Sequence, residues 1–431
     1  MSEETALGPV PAPSPMPVPA AAPVAAAERI ANLDVLRGVA LCGILLMNIR
    51  TMSMPEPAYF FPYTWGDMTG VNGAVWYLTE LLASSKFITL FSLLFGAGIV
   101  LMNDKARAAG RGFAGLHYRR MFYLLLIGMV HGYLIWEGDI LASYAVCGGW
   151  AFLFRNRRPR TLIISGVVAL LIGTAILIGS WLSSPSWPEE VRAAWVTGLN
   201  PSYEAQLEQV EQMTGGFADQ MEHRFGSTLS MQTSTLPFYM IWRAGGTMLL
   251  GMALFKLGWL SGRARRRTYR IMVAVALLVG IPLTWYGIAR QDAIGWEPLQ
   301  TFFAAALWGY WASFATALGW LGLVMLWCGS TFALDLRRRF AALGRMALTN
   351  YLLQSVIGSL IFYGYGLALF GRVPHVGQLA ICVGVWAVQL WWSPRWLARF
   401  RFGPVEWLWR SLSYRKRQPF RRKDTPAHAA S

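Results

Sequence analysis

The sequence predicts an all-α, polytopic integral membrane protein with about ten transmembrane helices and with both termini in the cytoplasm. Three observations predict this class. The 431-residue chain is 55% hydrophobic and 14% charged, whereas soluble domains carry about 25% charged residues. Its apolar residues run in blocks of about 20, the length that crosses a bilayer as a helix. Its Lys and Arg residues are confined to short segments between alternate blocks.

The chain begins with a segment rich in Pro and Ala, residues 1–28. Seven prolines lie between Pro9 and Pro23, so this segment cannot bury a core and is predicted to be a disordered cytoplasmic tail. A secretory signal begins with basic residues, whereas this chain has the acidic residues Glu3 and Glu4 in that place. We therefore expect no secretory signal in these residues.

A transmembrane domain is predicted over residues 29–394. Within the second apolar block, Glu80 and Lys86 interrupt the hydrophobic run. We therefore expect only residues 87–102 to cross and the first half of the block to lie in the interface. The ten predicted spans lie near residues 33–53, 75–102, 119–136, 139–154, 161–183, 237–259, 271–289, 302–333, 346–370 and 376–393.

The positions of the basic residues predict the orientation. Of the 38 Lys and Arg residues, 29 lie in a set of segments that an even number of spans places on one side. The positive-inside rule identifies that side as the cytoplasm, so we expect a multi-pass protein of the cell inner membrane. The net charge of +16 is then explained by the orientation in the bilayer, and we expect the bilayer and not nucleic acid as the partner. The segments that hold these 29 Lys and Arg residues are Arg29, 103–120, 155–160, 261–270, 335–345 and 395–423.

Two segments outside the spans have distinct compositions. Residues 184–236 hold seven acidic residues and form a predicted extracytoplasmic insertion, with two short amphipathic helices separated at Gly215-Gly216. A solvated insertion is favoured over a lid, since the segment shows no chemistry. Residues 395–431 mix Arg with Trp and Phe, which predicts a basic aromatic cytoplasmic tail at the inner headgroups.

The first polar candidates lie at the start of the first span. Asp34 and Arg37 are three residues apart and therefore share a helix face, where they can form an ion pair. One interpretation is a pair at the helix start, with Arg37 reaching the headgroups. The other is that Arg37 points into the bundle and contacts an anion near the inner face.

The hairpin between the third and fourth spans carries the strongest candidates for catalysis. His131 lies about two turns inside the third span, and Glu137 and Asp139 follow in the turn. The hairpin can bring His131 and Asp139 together, where the carboxylate would orient a ring able to exchange protons near neutral pH. The alternative is a histidine bonded to a backbone carbonyl beside an aspartate that caps a helix.

Other polar residues within the spans are less specific. Asn350 and Gln354 are four apart on one helix face and would either line a polar pocket or join neighbouring helices. Lys86 and Arg243 show no visible partner. The four cysteines lie singly in apolar blocks, and no spacing typical of a metal site occurs, so we expect no bound metal.

Three separated motifs carry a resemblance to a known family. They are LDVLRGVALCGILLMNI from Leu33, GMVHGYLIWEGDILASYAVCG from Gly128, and GRMALTNYLLQSVIGSLIFYGYGLALFG from Gly344, the last followed by FRFGPVEWLWRSLSY from Phe400. In this order they resemble the YeiB-like membrane family, domain of unknown function 418. The resemblance covers residues 30 to 415.

That family is in turn similar to a larger transmembrane acyltransferase group, which includes relatives of heparan-alpha-glucosaminide N-acetyltransferase. The resemblance implies transfer of an acyl group from a cytoplasmic acyl-CoA to an acceptor in the envelope, without a bound cofactor. It implies that His131 is the base or acyl carrier, that Asp139 orients it, and that Arg37 contacts the donor. Two alternatives stay open, namely a secondary transporter or exporter of a small molecule, and a structural membrane protein.

Overall fold

The computed structural model describes residues 31–422, and these form helices, turns and loops without a strand. An isolated antiparallel bridge joins Phe400 to Arg421. The all-α class is therefore confirmed. The predicted tail 1–28 and the last nine residues of the predicted tail 395–431 lie outside the described residues.

The helices are numbered in chain order, with short 3-10 turns left unnumbered. They are α1 (Ala31–Ser53), α2 (Gly70–Leu82), α3 (Lys86–Ala108), α4 (Ala114–Leu134), α5 (Leu141–Ala151), α6 (Pro159–Ser183), α7 (Glu189–Leu199), α8 (Tyr203–Thr214), α9 (Met221–Lys256), α10 (Arg266–Ala293), α11 (Pro298–Cys328), α12 (Leu334–Arg345), α13 (Ala347–Phe362), α14 (His375–Arg399) and α15 (Pro404–Ser413).

Seven of these units are long and apolar enough to cross a bilayer: α1, α2 with α3, α6, α9, α10, α11 and α14. Helices α5 and α13 are apolar but shorter. Helix α4 has 21 residues but carries Arg119 and Arg120 in its first turns. Together these ten units occupy the ten apolar blocks of the sequence. The number of crossings and their direction remain predictions.

The second apolar block is broken in the middle. Helix α2 ends at Leu82 and α3 begins at Lys86, with Ser85 in the left-handed region at φ 60°. Lys86 Nζ donates to the carbonyl oxygen of Glu80 at 2.6 Å, which satisfies a carbonyl that the end of α2 leaves open. The two charged residues that interrupt the hydropathy pattern therefore lie at the break between two helices.

The two largest differences from the predicted span boundaries concern α9 and α13. Helix α9 begins at Met221, well before the expected start at residue 237, so the last part of the predicted insertion continues into a membrane helix. Helix α13 ends at Phe362, and the chain folds back along it, with the Leu367 N–H donating to the Leu360 carbonyl at 2.8 Å. A Cβ on Gly364 would lie 2.0 Å from the Gly215 carbonyl oxygen, so this return depends on glycine.

Helix α1 lies at the centre of the bundle, in contact with α3, α11, α12, α13 and α14. Glycines allow its close approach to α12. A Cβ on Gly38 would lie 2.2 Å from the Phe340 carbonyl oxygen, and a Cβ on Gly344 would lie 1.9 Å from the Asp34 carbonyl oxygen. In contrast, α6 and α10 leave most of their apolar side chains exposed, as helices at a lipid-facing rim do.

The basic segments between the helices gather at one end of the bundle. Lys256 Nζ donates to the Arg157 carbonyl at 2.7 Å, which joins the end of α9 to the start of α6. Arg119 Nε donates to the Ser413 carbonyl at 3.0 Å, which joins α15 to the start of α4. This gathering agrees with the predicted positive-inside arrangement.

Candidate functional site

The hairpin between α4 and α5 holds a buried histidine against a buried aspartate. His131 lies one turn before the end of α4, and Asp139 lies two residues before the start of α5. The distance between His131 Nδ1 and Asp139 Oδ1 is 2.7 Å, and the two side chains are 1% and 4% exposed. The structure thus brings together the two residues singled out for catalysis.

Asp139 is held in place by the helix that follows it. Its second oxygen, Oδ2, accepts a hydrogen bond from the Ala142 N–H at 2.8 Å, so the carboxylate caps the start of α5. Helix α4 approaches this cap closely, since a Cβ on Gly128 would lie 2.7 Å from Oδ2 and 2.4 Å from the Ala142 nitrogen. Asp139 therefore fulfils both alternatives considered from the sequence: it caps a helix and it binds the histidine.

The histidine ring presents its other nitrogen without a partner. A neutral imidazole that donates from Nδ1 to the Asp139 carboxylate would have a lone pair on Nε2. Nε2 is buried and has no hydrogen-bond partner among residues 31–422. The rings of Tyr351 and Trp136 lie 5.2 and 6.1 Å from the imidazole, between centroids. Such a ring can take a proton from, or be acylated by, a group that reaches Nε2.

Glu137 shares the hairpin but faces a different partner. Its Oε2 lies 4.0 Å from Nε of Arg224, near the start of α9. Arg224 is fully buried, and its Nη2 donates to Gln220 Oε1 at 2.8 Å. One turn later, the Thr228 hydroxyl donates to the Gly132 carbonyl at 3.0 Å. The first turns of α9 therefore cover the hairpin.

Sequence analysis did not identify Arg224 and Thr228. Both were assigned to the insertion 184–236, for which a solvated surface was favoured. The available signal was a cation within an acidic segment, four residues before Thr228 and therefore on the same face of a helix. What could not be read from the sequence is that this face meets a hairpin about 90 residues earlier in the chain.

Arginines gather at the opposite end of α4. Arg37 Nη1 donates to Asp34 Oδ1 at 2.9 Å, the ion pair expected from their spacing. Arg120 lies close enough to Arg37 and Arg410 for their charges to interact, and its guanidinium covers the Trp409 ring at 4.0 Å. Nη1 of Arg120 is buried without a hydrogen-bond partner in the described part of the chain. We call Arg37, Arg120 and Arg410 the arginine cluster.

Asn350 and Gln354 join two helices. Gln354 Nε2 donates to Gln389 Oε1 at 2.9 Å, and Gln389 Nε2 donates to the Asn350 carbonyl at 2.9 Å. Asn350 Nδ2 also donates to Ser393 Oγ at 3.1 Å. These contacts link α13 to α14 and support the interhelical alternative for both residues.

A second group of buried cations lies where α1, α2, α3 and α9 meet. Arg50 Nη1 donates to Glu80 Oε2 at 3.0 Å, beside the contact of Lys86 with the Glu80 carbonyl. Arg243 Nη2 donates to Ser313 Oγ at 2.9 Å. Lys86 and Arg243, for which the sequence shows no partner, therefore have one in the fold. We call Arg50, Lys86 and Arg243 the second cation cluster.

Candidate metal ligands are scattered. Within residues 31–422, no three His, Cys, Asp or Glu side chains lie together in a way that could hold a metal ion. The four cysteines are unpaired, and Cys42, Cys147 and Cys382 are buried. The candidate site thus consists of the His131–Asp139 pair and the arginine cluster at the two ends of α4.

Similarity to known proteins extends over nearly the whole chain. Residues 254–416 match the family described as "Protein of unknown function (DUF418)". The chain is 33% identical over 394 residues to uncharacterised protein YeiB of Escherichia coli strain K12, covering 91% of this chain and 98% of YeiB. It is 32% identical over 423 residues to uncharacterised protein YxaH of Bacillus subtilis strain 168, covering 92% and 97%. The chain therefore belongs to the YeiB-like DUF418 family.

Proposed function

We propose that this protein is a membrane acyltransferase of the cell inner membrane, which moves an acyl group from a cytoplasmic acyl-CoA to an extracytoplasmic acceptor. The His131–Asp139 pair carries the proposal. Its two side chains are buried, its atoms are 2.7 Å apart, and Nε2 of His131 has no partner among the described residues. Ionisable residues within membrane helices are costly and usually serve a function.

The pair supports two routes for the same overall reaction. In the first, Nε2 of His131 takes the proton of the acceptor hydroxyl or amine while the acceptor oxygen or nitrogen attacks the thioester carbonyl. The carbon–sulfur bond then breaks, and CoA leaves as thiol after its sulfur takes the proton from Nε2. In the second, Nε2 itself attacks the thioester carbonyl, the carbon–sulfur bond breaks and CoA leaves as thiolate. The acceptor then takes the acyl group from the ring, which restores Nε2, and the proton that the acceptor loses passes to the CoA thiolate. In both routes the Asp139 carboxylate stabilises the positive charge that develops on the imidazole.

The arginine cluster supports a donor site at the other end of α4. Arg120 precedes His131 by 11 residues, which corresponds to about 16 Å along a helix. Phosphates held at Arg37 and Arg120 would place the donor at the basic end of the bundle, and the thioester arm would have to span that distance. The resemblance to the transmembrane acyltransferase group supports the same assignment of Arg37.

The experiment uses the full chain in vesicles, with radiolabelled acetyl-CoA on the basic side and cell-envelope extract on the other. We expect transfer of label, its loss in His131→Ala, and a reduction of at least about 100-fold in Asp139→Asn, since a general base contributes about 10²–10⁴-fold. His117→Ala is the matched control, because His117 is a buried histidine of α4 that contacts the Gly148 carbonyl. Equal transfer by His131→Ala and the wild type would refute the proposal.

A secondary transporter is the second candidate, and the second cation cluster favours it. Arg50, Lys86 and Arg243 are at least 95% buried, and ionisable residues buried between membrane helices are typical of transport pathways. Solute flux driven by a pH gradient, without acyl transfer and abolished by Arg243→Leu, would select this candidate. Variants that change only the amount of protein would select a structural role instead.

A further inference from the structure

An apolar groove lies on the bundle between α1, α2 and α14, apart from the His131–Asp139 pair. Its volume is about 310 Å³, near the lower limit of cavities that bind small ligands. The side chains that line it are apolar apart from Thr79, and they come from six helices. It runs along α1 from Val39 to Leu46, and Trp320 and Trp386 contribute to its lining.

A small polar recess adjoins this groove. Its volume of about 10 Å³ is about the space that one water-sized group needs. The polar residues Arg50, His375 and Gln378 line it together with Thr79 and apolar side chains. Val75 and Leu379 line both the groove and the recess. The two cavities are therefore adjacent, with a long apolar part on one side of these residues and the small recess beside Arg50 and His375 on the other.

His375 contributes a polar atom that lacks a partner. The side chain is 3% exposed and lines the recess. Its Nε2 has no hydrogen-bond partner within residues 31–422, although an unsatisfied buried polar atom destabilises the fold. A ligand oxygen in the recess would satisfy it.

The charges around the recess favour an anion. Arg50 is 3% exposed and interacts electrostatically with Lys86, which in turn interacts with Arg243. Among the described residues, two acidic side chains interact with the residues that line the recess. Glu80 binds Arg50, and the exposed Asp67 interacts with His375. Three buried cations, of which Arg50 lines the recess, thus lie near one half-buried and one exposed carboxylate, and an additional negative charge would reduce this imbalance.

We infer that the groove and the recess bind one long-chain carboxylate. The hydrocarbon chain lies in the groove, and the carboxylate enters the recess between Arg50 and His375. A recess of this size admits a carboxylate oxygen but not a phosphodiester with its headgroup. From Arg50 to Val39 the groove follows 11 residues of α1, or about 16 Å, so one chain fills it. Neither His131 nor Asp139 lines the site, so the inference does not depend on the proposed function.

The test measures retention of hexadecanoate by the purified full chain in detergent, using native mass spectrometry. We expect one bound hexadecanoate, and at least tenfold less binding of hexadecanol, which has the same chain without the charge. Leu379→Trp should reduce binding at least tenfold, because residue 379 lies where the two cavities meet. His375→Leu should also reduce it. Val383→Trp is the matched control, since Val383 is exposed on the same helix and lies outside the lining.

Each variant is first checked for a single size-exclusion peak and for cooperative thermal unfolding. If Leu379→Trp fails this check, Val75→Trp fills the same junction from α2 and replaces it. Equal retention of hexadecanol and hexadecanoate would overturn the inference, as would unchanged binding in the folded tryptophan variant. Preferential retention of phosphatidylglycerol over hexadecanoate would also overturn it, since the ligand would then be a diacyl phospholipid.

Discussion

Gly128 allows the α4–α5 hairpin to close where Asp139 meets His131. A Cβ at this position would lie 2.4 Å from the Ala142 backbone nitrogen and 2.7 Å from Asp139 Oδ2. Because backbone cannot move aside as a flexible side chain can, Gly128→Ala should lower the free energy of unfolding by about 1–3 kcal/mol. Thermal unfolding of the purified protein in detergent measures this change.

Gly115 provides the control for this substitution. It lies in the first turn of the same helix, and a Cβ there would have only the Arg119 guanidinium nearby, at 3.8 Å. Gly115→Ala should leave the stability unchanged or raise it slightly, since alanine favours a helix more than glycine does. Equal losses in the two variants would contradict the close approach at Gly128.

Asp139 has two roles that substitution can separate. Asp139→Asn keeps a side-chain oxygen for the Ala142 N–H and should change the stability little. Asp139→Ala removes the cap and should cost about 1 kcal/mol or more. Both variants should lose most of the acyl transfer, because neither holds the protonated imidazole as a carboxylate does. Denaturant unfolding and the acyl-transfer assay, measured on both variants, check this prediction. An Asp139→Asn variant with full transfer activity would contradict the role of Asp139 in orienting His131.

At the scale of helices, the C-terminal helix α15 is fixed by one buried carboxylate. Glu406 Oε1 accepts from the N–H groups of Leu348 at 2.7 Å and Thr349 at 3.0 Å, which caps the start of α13. Glu406→Ala should leave these donors without a partner, cost about 1–3 kcal/mol, and release α15. Limited trypsin digestion should then cut faster at Arg415. Unchanged cleavage and stability would argue against this docking.

The same carboxylate predicts a dependence on pH. Burial raises the pKa of Glu406 above its ordinary value of 4.5, against the hydrogen bonds from Thr349, which lower it. The folded protein therefore binds this proton more tightly than the unfolded chain, so the free energy of unfolding falls as pH rises from 4.5 through the raised pKa. Glu406→Gln does not titrate. Thermal unfolding of both proteins over a range of pH measures the difference. The stability of the wild type relative to that of Glu406→Gln should fall as the pH rises. A relative stability that rises with pH would contradict the raised pKa of Glu406.

Local spacing in the sequence was informative within helices and hairpins and much less so between distant segments. His131 and Asp139 could be paired because only seven residues separate them and the turn is tight. The break at Ser85 could be anticipated because two charges interrupt an apolar run. Arg224 could not be placed against Glu137, since no local pattern encodes a contact across the insertion. The end of α13 was missed because hydropathy continues through residues 363–370, where the backbone reverses.

At the scale of the whole molecule, the contacts between basic segments restrict how the chain crosses the bilayer. α12 lies against the start of α1, and α15 lies against the starts of α4 and α13. Segments in mutual contact cannot be on opposite sides of a membrane. The end of α9 therefore shares a side with the 155–160 turn, and α15 shares a side with the start of α4. The excess of Lys and Arg predicts that these segments and α12 all lie on the cytoplasmic side.

This arrangement predicts the outcome of reporter fusions along the chain. A green fluorescent protein should fluoresce when fused after Ser261, Ser330 or Ser413, because it matures in the cytoplasm. Alkaline phosphatase should be active when fused after Gly371 or after residue 200, because it folds only outside. The Lys and Arg residues flanking the first three positions anchor them inside. Activity of alkaline phosphatase at position 261 together with fluorescence at position 413 would place two segments predicted to be cytoplasmic on opposite sides, and the predicted topology of ten crossings would be wrong.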